Sequence, residues 1–466
     1  VEGYLERSSQ AVRERRVSAA ELVEESLRRI ESAAELNAVV ALRAEEALGE
    51  ARALDDALAV GRAEGPLVGL PLLVKDIEDA AGLPTTFGSL IHADAPPVKI
   101  DGAVAGRLRA AGAILVGKTN VPEFAFEGYT DNRLFGPTRN PWALAWSPGG
   151  SSGGSAAAMA AGLVPLATAT DVGGSVRIPA AACGLVGLKP TAGRIGRDPI
   201  LASLELNNHG PLTWTVADAA VLLGILTGPV AGDPGALPPW RPTDGGLPRR
   251  VIAAARLAPG LPLPASVERH FASALQVVHS VLMLPVELLD SKAIFPSGYD
   301  PDDWFRLVGV EQAWALGRGV IEHRAAELDP VFAGYMRRAL EIGIEEYLAA
   351  RRRRLRYARE LDDLLDESTI LLSPTLTVEG WSVDGRLPGA ARPGLPSEVF
   401  NTEPANLTGH PAISLPAGRH PNGVPFGLQA IGPRFGEDLL LSFAIAWEAA
   451  CPWPAVADGF STFPPG

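Results

Sequence analysis

Apolar strands alternating with amphipathic helices predict an α/β protein with a largely parallel or mixed sheet. Three observations carry this. A capped amphipathic helix opens the chain at Ser18–Ser32. The runs Gly69–Asp76 and Ala113–Val116 are continuously apolar rather than alternating, as strands buried on both faces are. A composition of 47% hydrophobic and 20% charged residues is that of a globular chain with a large core.

The elements follow in order. Ser18-Ala19-Ala20-Glu21 is a capping box, with Leu22, Leu27 and Ile30 behind it at helical spacing. Leu36–Leu42 reads as a strand, and the Ala/Glu/Leu-rich stretch after it as a helix to Val60. Gly69–Asp76 is a buried strand with Lys75 near its C-terminal end. Gly102–Ala111 reads as helix, Ala113–Val116 as strand, Ala156–Ala161 as helix and Leu163–Asp171 as a strand entering the turn at Gly173-Gly174. Residues 1–466 read as a single domain, in which a variable, largely helical segment at 228–370 forms a cap. Pro/Gly punctuation clusters at 228–249 and 386–397, the second reading as a mobile loop near a site.

Charge and composition exclude several classes. A net charge of −13 offers no nucleic-acid surface. The basic run Arg351–Arg354 with Arg356 is followed by acidic residues and reads as a solvated helix face. No apolar run is long enough for a membrane span. Two cysteines, Cys183 and Cys451, are too few for a disulfide framework and fit a reducing, cytoplasmic setting. The sequence begins at Val1, which is compatible with a leader or tag ahead of it.

One motif misleads. Gly112–Thr119 matches the phosphate-loop pattern letter for letter, but its middle residues are Ala, Ile, Leu and Val. Those residues form a strand, so Lys118 reads as structural.

The stretch Gly149–Ser155, GGSSGGS, has a linker's composition but abuts an alanine-rich helix. A serine nucleophile needs a base. None of the seven histidines sits in a nucleophile-elbow or zinc-ligand pattern, and no metal is expected. His209 could line a site. Lysine remains as base, and it serves only when burial or positive charge keeps it neutral. Lys75, at the end of the apolar strand Leu72-Leu73-Val74, is the candidate. Asp76 points to the opposite face and need not hold Lys75 charged. In Thr170–Ala181 the amides of Val172, Gly173, Gly174 and Ser175 can converge as an oxyanion hole, and Arg177 can brace the turn through Asp171.

These residues resemble the amidase signature family. The match is carried by Pro148–Gly196 and extends through GPLVGLPLLVKD, AGAILVGKTNVPEFA, GPTRNPW, GPLTWTVADAAVLL and PANLTGHPAISLPAG. It covers the whole chain and is weakest at 228–370. The resemblance implies an α/β/α sandwich, a mixed central sheet covered by helices on both faces, and a Ser–cis-Ser–Lys triad: Lys75 as base, Ser151 as the bridging serine after a cis peptide bond, and Ser175 as nucleophile. It places oxyanion-hole amides at Val172, Gly173, Gly174 and Ser175, with Ser152, Asp171 and Arg177 in support. GGSSGGS is then a catalytic loop.

The reaction implied is hydrolysis of C–N bonds other than peptide bonds, through an acyl-enzyme and without a cofactor. Its substrates would be small-molecule amides, aryl amides, carbamates or esters; some members are urethanases. A homodimer is common in the family. The alternative is the A-type component of a tRNA-dependent amidotransferase, which usually carries Gln where this chain has Ile178. Phe124, Phe126, Tyr129, Asp131, Asn132 and His209 are the expected pocket residues, an aromatic edge that suits aryl or long acyl groups.

Overall fold

The computed structural model describes residues 3–62, 64–259, 262–387 and 401–463. Four strands, β1 (Val39–Leu42), β2 (Pro71–Lys75), β3 (Ile114–Thr119) and β4 (Leu166–Ala167), form one sheet in the order β1-β3-β2-β4. The chain then passes through β5 (Thr170–Asp171), β6 (Val186–Lys189), β7 (Asn208–His209), β8 (Leu212–Thr213), β9 (Arg250–Ala253), β10 (Val286–Leu288), β11 (Thr369–Pro374), β12 (Ala412–Arg419) and β13 (Pro425–Ile431). The main sheet runs β10-β9-β11-β13-β12-β6-β8, and β5 pairs with β7. It is mixed: β10, β9 and β11 are parallel, and the remaining neighbours are antiparallel.

Residue alternation explains why helices cover both faces. Ile252, Leu371, Ala412 and Ile431 pack against the helices Asp303–Leu316, Pro330–Glu341 and Ile344–Leu364. Val251, Ile370, Leu372, Leu415 and Leu428 pack on the other face against Val216–Leu226, Ala265–Ser280 and Glu437–Ala450. Each fully buried Leu or Ile contributes about 1.5–3 kcal/mol.

Most local expectations hold. The helix Ala19–Ser32 carries its capping box, with Ser18 Oγ accepting from Glu21 N at 3.1 Å and the Glu21 carboxylate accepting from Ser18 N at 2.7 Å. The phosphate-loop lookalike is β3. Lys118 is buried there, donating to Glu78 O at 2.7 Å and lying 3.1 Å from Asp76.

Three details differ. The expected strand Leu163–Asp171 is split into β4 and β5, because the chain leaves β2 after Ala167 and pairs next with β7. The helix after GGSSGGS starts at Gly153, inside that stretch. A Cβ at Gly154 would collide with the Asn120 backbone, and one at Gly153 with Thr130, so close packing demands glycine there. The arginine run is no plain solvated face: Arg353 pairs with buried Asp303 at 2.5 Å, and Arg351 and Arg354 both reach Glu205.

Within 228–370, β9 and β10 are part of the main sheet, and the helices lie beyond Ser291 apart from Ala265–Ser280, which packs on that sheet. Residues 388–397 of the expected loop lie outside the described residues.

Candidate active site

Lys75 ends β2, and its backbone amide donates to Thr168 Oγ1 at 2.8 Å, which anchors the strand end. Its Nζ lies 2.8 Å from Ser151 Oγ, 2.9 Å from Ser152 Oγ and 2.7 Å from Thr170 Oγ1. The peptide bond Gly150–Ser151 is cis. All four side chains are buried. Burial pulls the Lys75 pKa down from an ordinary 10.5 to about 7, against the opposing charges of Glu78 and Asp171. Asp76, next in sequence, faces away and pairs with Lys118.

Ser175 follows β5 in the turn Val172–Gly174 and shares a cavity of ≈ 60 Å³ with Ser151, Val172 and Gly173. Two contacts pin this turn: Trp304 Nε1 donates to Val172 O at 2.9 Å, and Thr402 Oγ1 donates to Gly173 O at 2.6 Å. The carboxylate of Asp171 is the turn's internal anchor. It accepts from the Gly174 amide at 2.7 Å and the Val176 amide at 3.2 Å. The Gly174 amide is therefore withdrawn from the expected oxyanion set, while Val172, Gly173 and Ser175 line the cavity.

Arg177 grips Asp171 with two 2.9 Å bonds, and also reaches Thr402 O, Gln429 and Asn406. Burial alone would raise the Asp171 pKa; the Arg177 charge overcomes it and holds the carboxyl at about 2. Ser152 adds a brace, accepting from the Thr170 amide at 3.3 Å.

The expected pocket residues divide. Phe124 and Phe126 line the cavity, but Tyr129, Asp131, Asn132 and His209 do not. Tyr129 packs into an apolar cluster with Ile178 and Trp381. Asn132 spends its amide on Asn120 Oδ1 and Val121 O, both at 2.7 Å, and its Oδ1 on the Leu134 and Phe135 amides. Burial and the nearby Asp329 and Asp384 raise the Asp131 carboxyl to about 6, although an Asn132 amide contact lowers it. His209 sits in β7 with Nε2 3.5 Å from Glu78 Oε2, against a separate cavity. Tyr129, His209 and the Asn132 amide are held by residues that the linear sequence does not place beside them, whereas Asp131 and the Asn132 Oδ1 meet amides of their own loop.

The sequence reading misses other lining residues. Trp304, Val308 and Gln312 reach the cavity from the helix Asp303–Leu316. Their i, i+4, i+8 spacing puts them on one face, a signal present in the sequence. Glu127, Asn207 and Glu403 also line it. An outer chamber of ≈ 300 Å³, edged by Phe87, Ile91 and Leu316, adjoins it through Ile77, Phe124 and Gln312. Among the described residues no cluster of His, Cys, Asp or Glu is placed to hold a metal ion, and no helix is long and apolar enough to cross a membrane.

A family model described as Amidase matches residues 21–281 and 323–441. The chain is 33% identical to the A-type component of glutamyl-tRNA(Gln) amidotransferase from Ralstonia nicotianae, over 94% of this chain and 95% of that one. Among solved structures, a bacterial aryl acylamidase of the amidase signature family superposes with a TM-score of 0.85 at 28% identity, covering 96% of this chain and 95% of that one. A 6-aminohexanoate cyclic dimer hydrolase complexed with substrate gives 0.84 at 29% identity, over 98% of both chains.

Proposed function

Since the chain belongs to the amidase signature family and is an enzyme of carbon–nitrogen bond hydrolysis, we propose that it is a free-standing serine amidohydrolase working through an acyl-enzyme. The observation that carries this reading is Lys75, buried among three hydroxyls with its pKa near 7. A neutral amine has two N–H donors and one lone pair. With the donors spent on Ser152 and Thr170, the lone pair faces the Ser151 hydroxyl proton.

Lys75 takes that proton, and Ser151 takes one from Ser175. Ser175 Oγ attacks the substrate carbonyl, and the amides of Val172, Gly173 and Ser175 receive the developing oxyanion. The relay then protonates the leaving nitrogen, and water repeats the sequence on the acyl-enzyme. Amides, carbamates and esters share the carbonyl that this chemistry needs. The apolar outer chamber favours an aryl or aliphatic portion.

Turnover of an anilide, a 4-nitrophenyl carbamate, a short aliphatic amide or a peptide amide, lost in Ser175→Ala, supports the reading. No turnover of any of the four by folded protein, together with no fluorophosphonate labelling of Ser175, refutes it.

The second reading is the A-type component of an amidotransferase, favoured by the similarity to such proteins. Against it stand the −13 net charge and Ile178, which lines the cavity where that component usually carries Gln. Glutamine hydrolysis that appears only with partner proteins and charged tRNA would establish it.

A further inference from the structure

We propose, on the reading that Ser175 is the acylating nucleophile, that the inner cavity is a subsite for a small ammonium-bearing portion of the substrate, held by Glu127 together with Asn207 and Glu403. All three residues line the cavity that contains Ser175. Both carboxylate oxygens of Glu127, both side-chain polar atoms of Asn207 and Oε2 of Glu403 are buried without a hydrogen-bond partner. Buried polar atoms are nearly always paired, so these unpaired ones around a single cavity point to a ligand: four of the five are oxygens that can accept from an N–H-bearing group, and the fifth, Asn207 Nδ2, is a donor that calls for an acceptor elsewhere on the same ligand.

The charge balance identifies that ligand as a cation. Glu127 and Glu403 both line one small space, burial pushes both carboxyls well above the ordinary carboxylate range, and Asp329 adds negative charge near Glu127. The nearby cation Arg177 is occupied by Asp171, Gln429 and Asn406. Burial, reinforced by Asp329, raises the Glu127 carboxyl to about 8, the behaviour of an acid lacking its counter-ion. A bound ammonium supplies the counter-ion and displaces the proton. Phe126 and Trp304, with ring centroids 5.7 Å apart, add aromatic faces that attract a cation. The volume of ≈ 60 Å³ admits a primary ammonium and its methylenes, leaving the apolar remainder for the outer chamber.

The test compares two isosteric pairs at about pH 8. In the acyl pair, 3-aminopropanoyl 4-nitroanilide is set against butanoyl 4-nitroanilide. In the leaving-group pair, N-(3-aminopropyl)hexanamide is set against N-butylhexanamide. The expected result is a preference of about tenfold or more in kcat/KM for the ammonium member of one pair. Glu127→Gln should bring that ratio close to one, mainly through KM; if this variant fails to fold, Glu403→Gln is read in the same way. Equal or better turnover of the neutral member in both pairs overturns the proposal, as does a preference that survives the substitution.

If none of the four is turned over, fluorophosphonate labelling of Ser175 decides. Protection by n-butylammonium but not by 1-butanol supports the subsite, and equal protection overturns it. No labelling at all removes the nucleophile reading itself, and the proposal with it.

Discussion

Lys75 Nζ stands 2.8 Å from Ser151 Oγ, and neither residue is exposed by more than 1%. The two are 76 positions apart in the chain. In this setting the lysine charge has no water to stabilise it, and its proton affinity falls by burial. Proton transfer from serine to lysine becomes feasible near neutral pH for that reason.

Activity is expected to fall as the pH drops through about 7, where Lys75 becomes protonated and can no longer accept from Ser151. Below that point kcat/KM should decline about tenfold per pH unit. A pH–rate profile checks this, and an activity flat between about pH 5 and 8 would remove Lys75 as base.

The same lysine has a stability signature. Its folded pKa is depressed, so between about 7 and 10.5 the unfolded chain binds a proton that the fold does not. Stability therefore gains from rising pH across that window, and below it the cost of the buried charge is full. Lys75→Met is expected to abolish turnover, raise Tm at neutral pH and flatten that dependence, as read by thermal melts across the window.

Ser175→Ala is expected to reduce turnover by about 10³-fold or more and to abolish labelling by a fluorophosphonate. Circular dichroism should show an unchanged fold, since no secondary-structure element depends on this side chain. Mass spectrometry of labelled wild type should locate the adduct on Ser175.

Asp171→Ala is expected to cost about 3–5 kcal/mol, because it strands the fully buried Arg177 and frees the Gly174 amide. Denaturant melts measure the loss, and kcat should fall with it as the turn loosens. The Asp171 carboxyl is depressed to about 2, so its stabilisation is full above the unfolded pKa and is lost as pH falls through about 2.

Lys118→Met is expected to destabilise the fold by leaving Asp76 buried opposite an apolar group. ATP should leave Tm unchanged in wild type and variant alike, since Gly112–Thr119 ends in a buried strand and offers no cradle of exposed amides. A nucleotide-dependent shift in Tm would contradict that assignment.

The sequence by itself determined the features that arise over short distances. The capping box at Ser18 and the helix behind it depend on hydrogen bonds within one turn and on a 3.6-residue period. The apolar run ending in Lys75 could be read as a buried strand, and the bracing of Asp171 by Arg177 spans only six positions. Tertiary structure decided the rest. Thr170 joins the Lys75 hydroxyl ring because the chain switches from β2 to β7 as its partner. The Gly174 amide turns to Asp171, and Asn132 turns to Asn120, through backbone geometry that composition does not encode. Trp304 and Glu403 reach the cavity from more than a hundred residues beyond Ser175. Such contacts are set by how helices pack on a shared sheet, and local propensity carries no information about which distant side chain will fill a given gap.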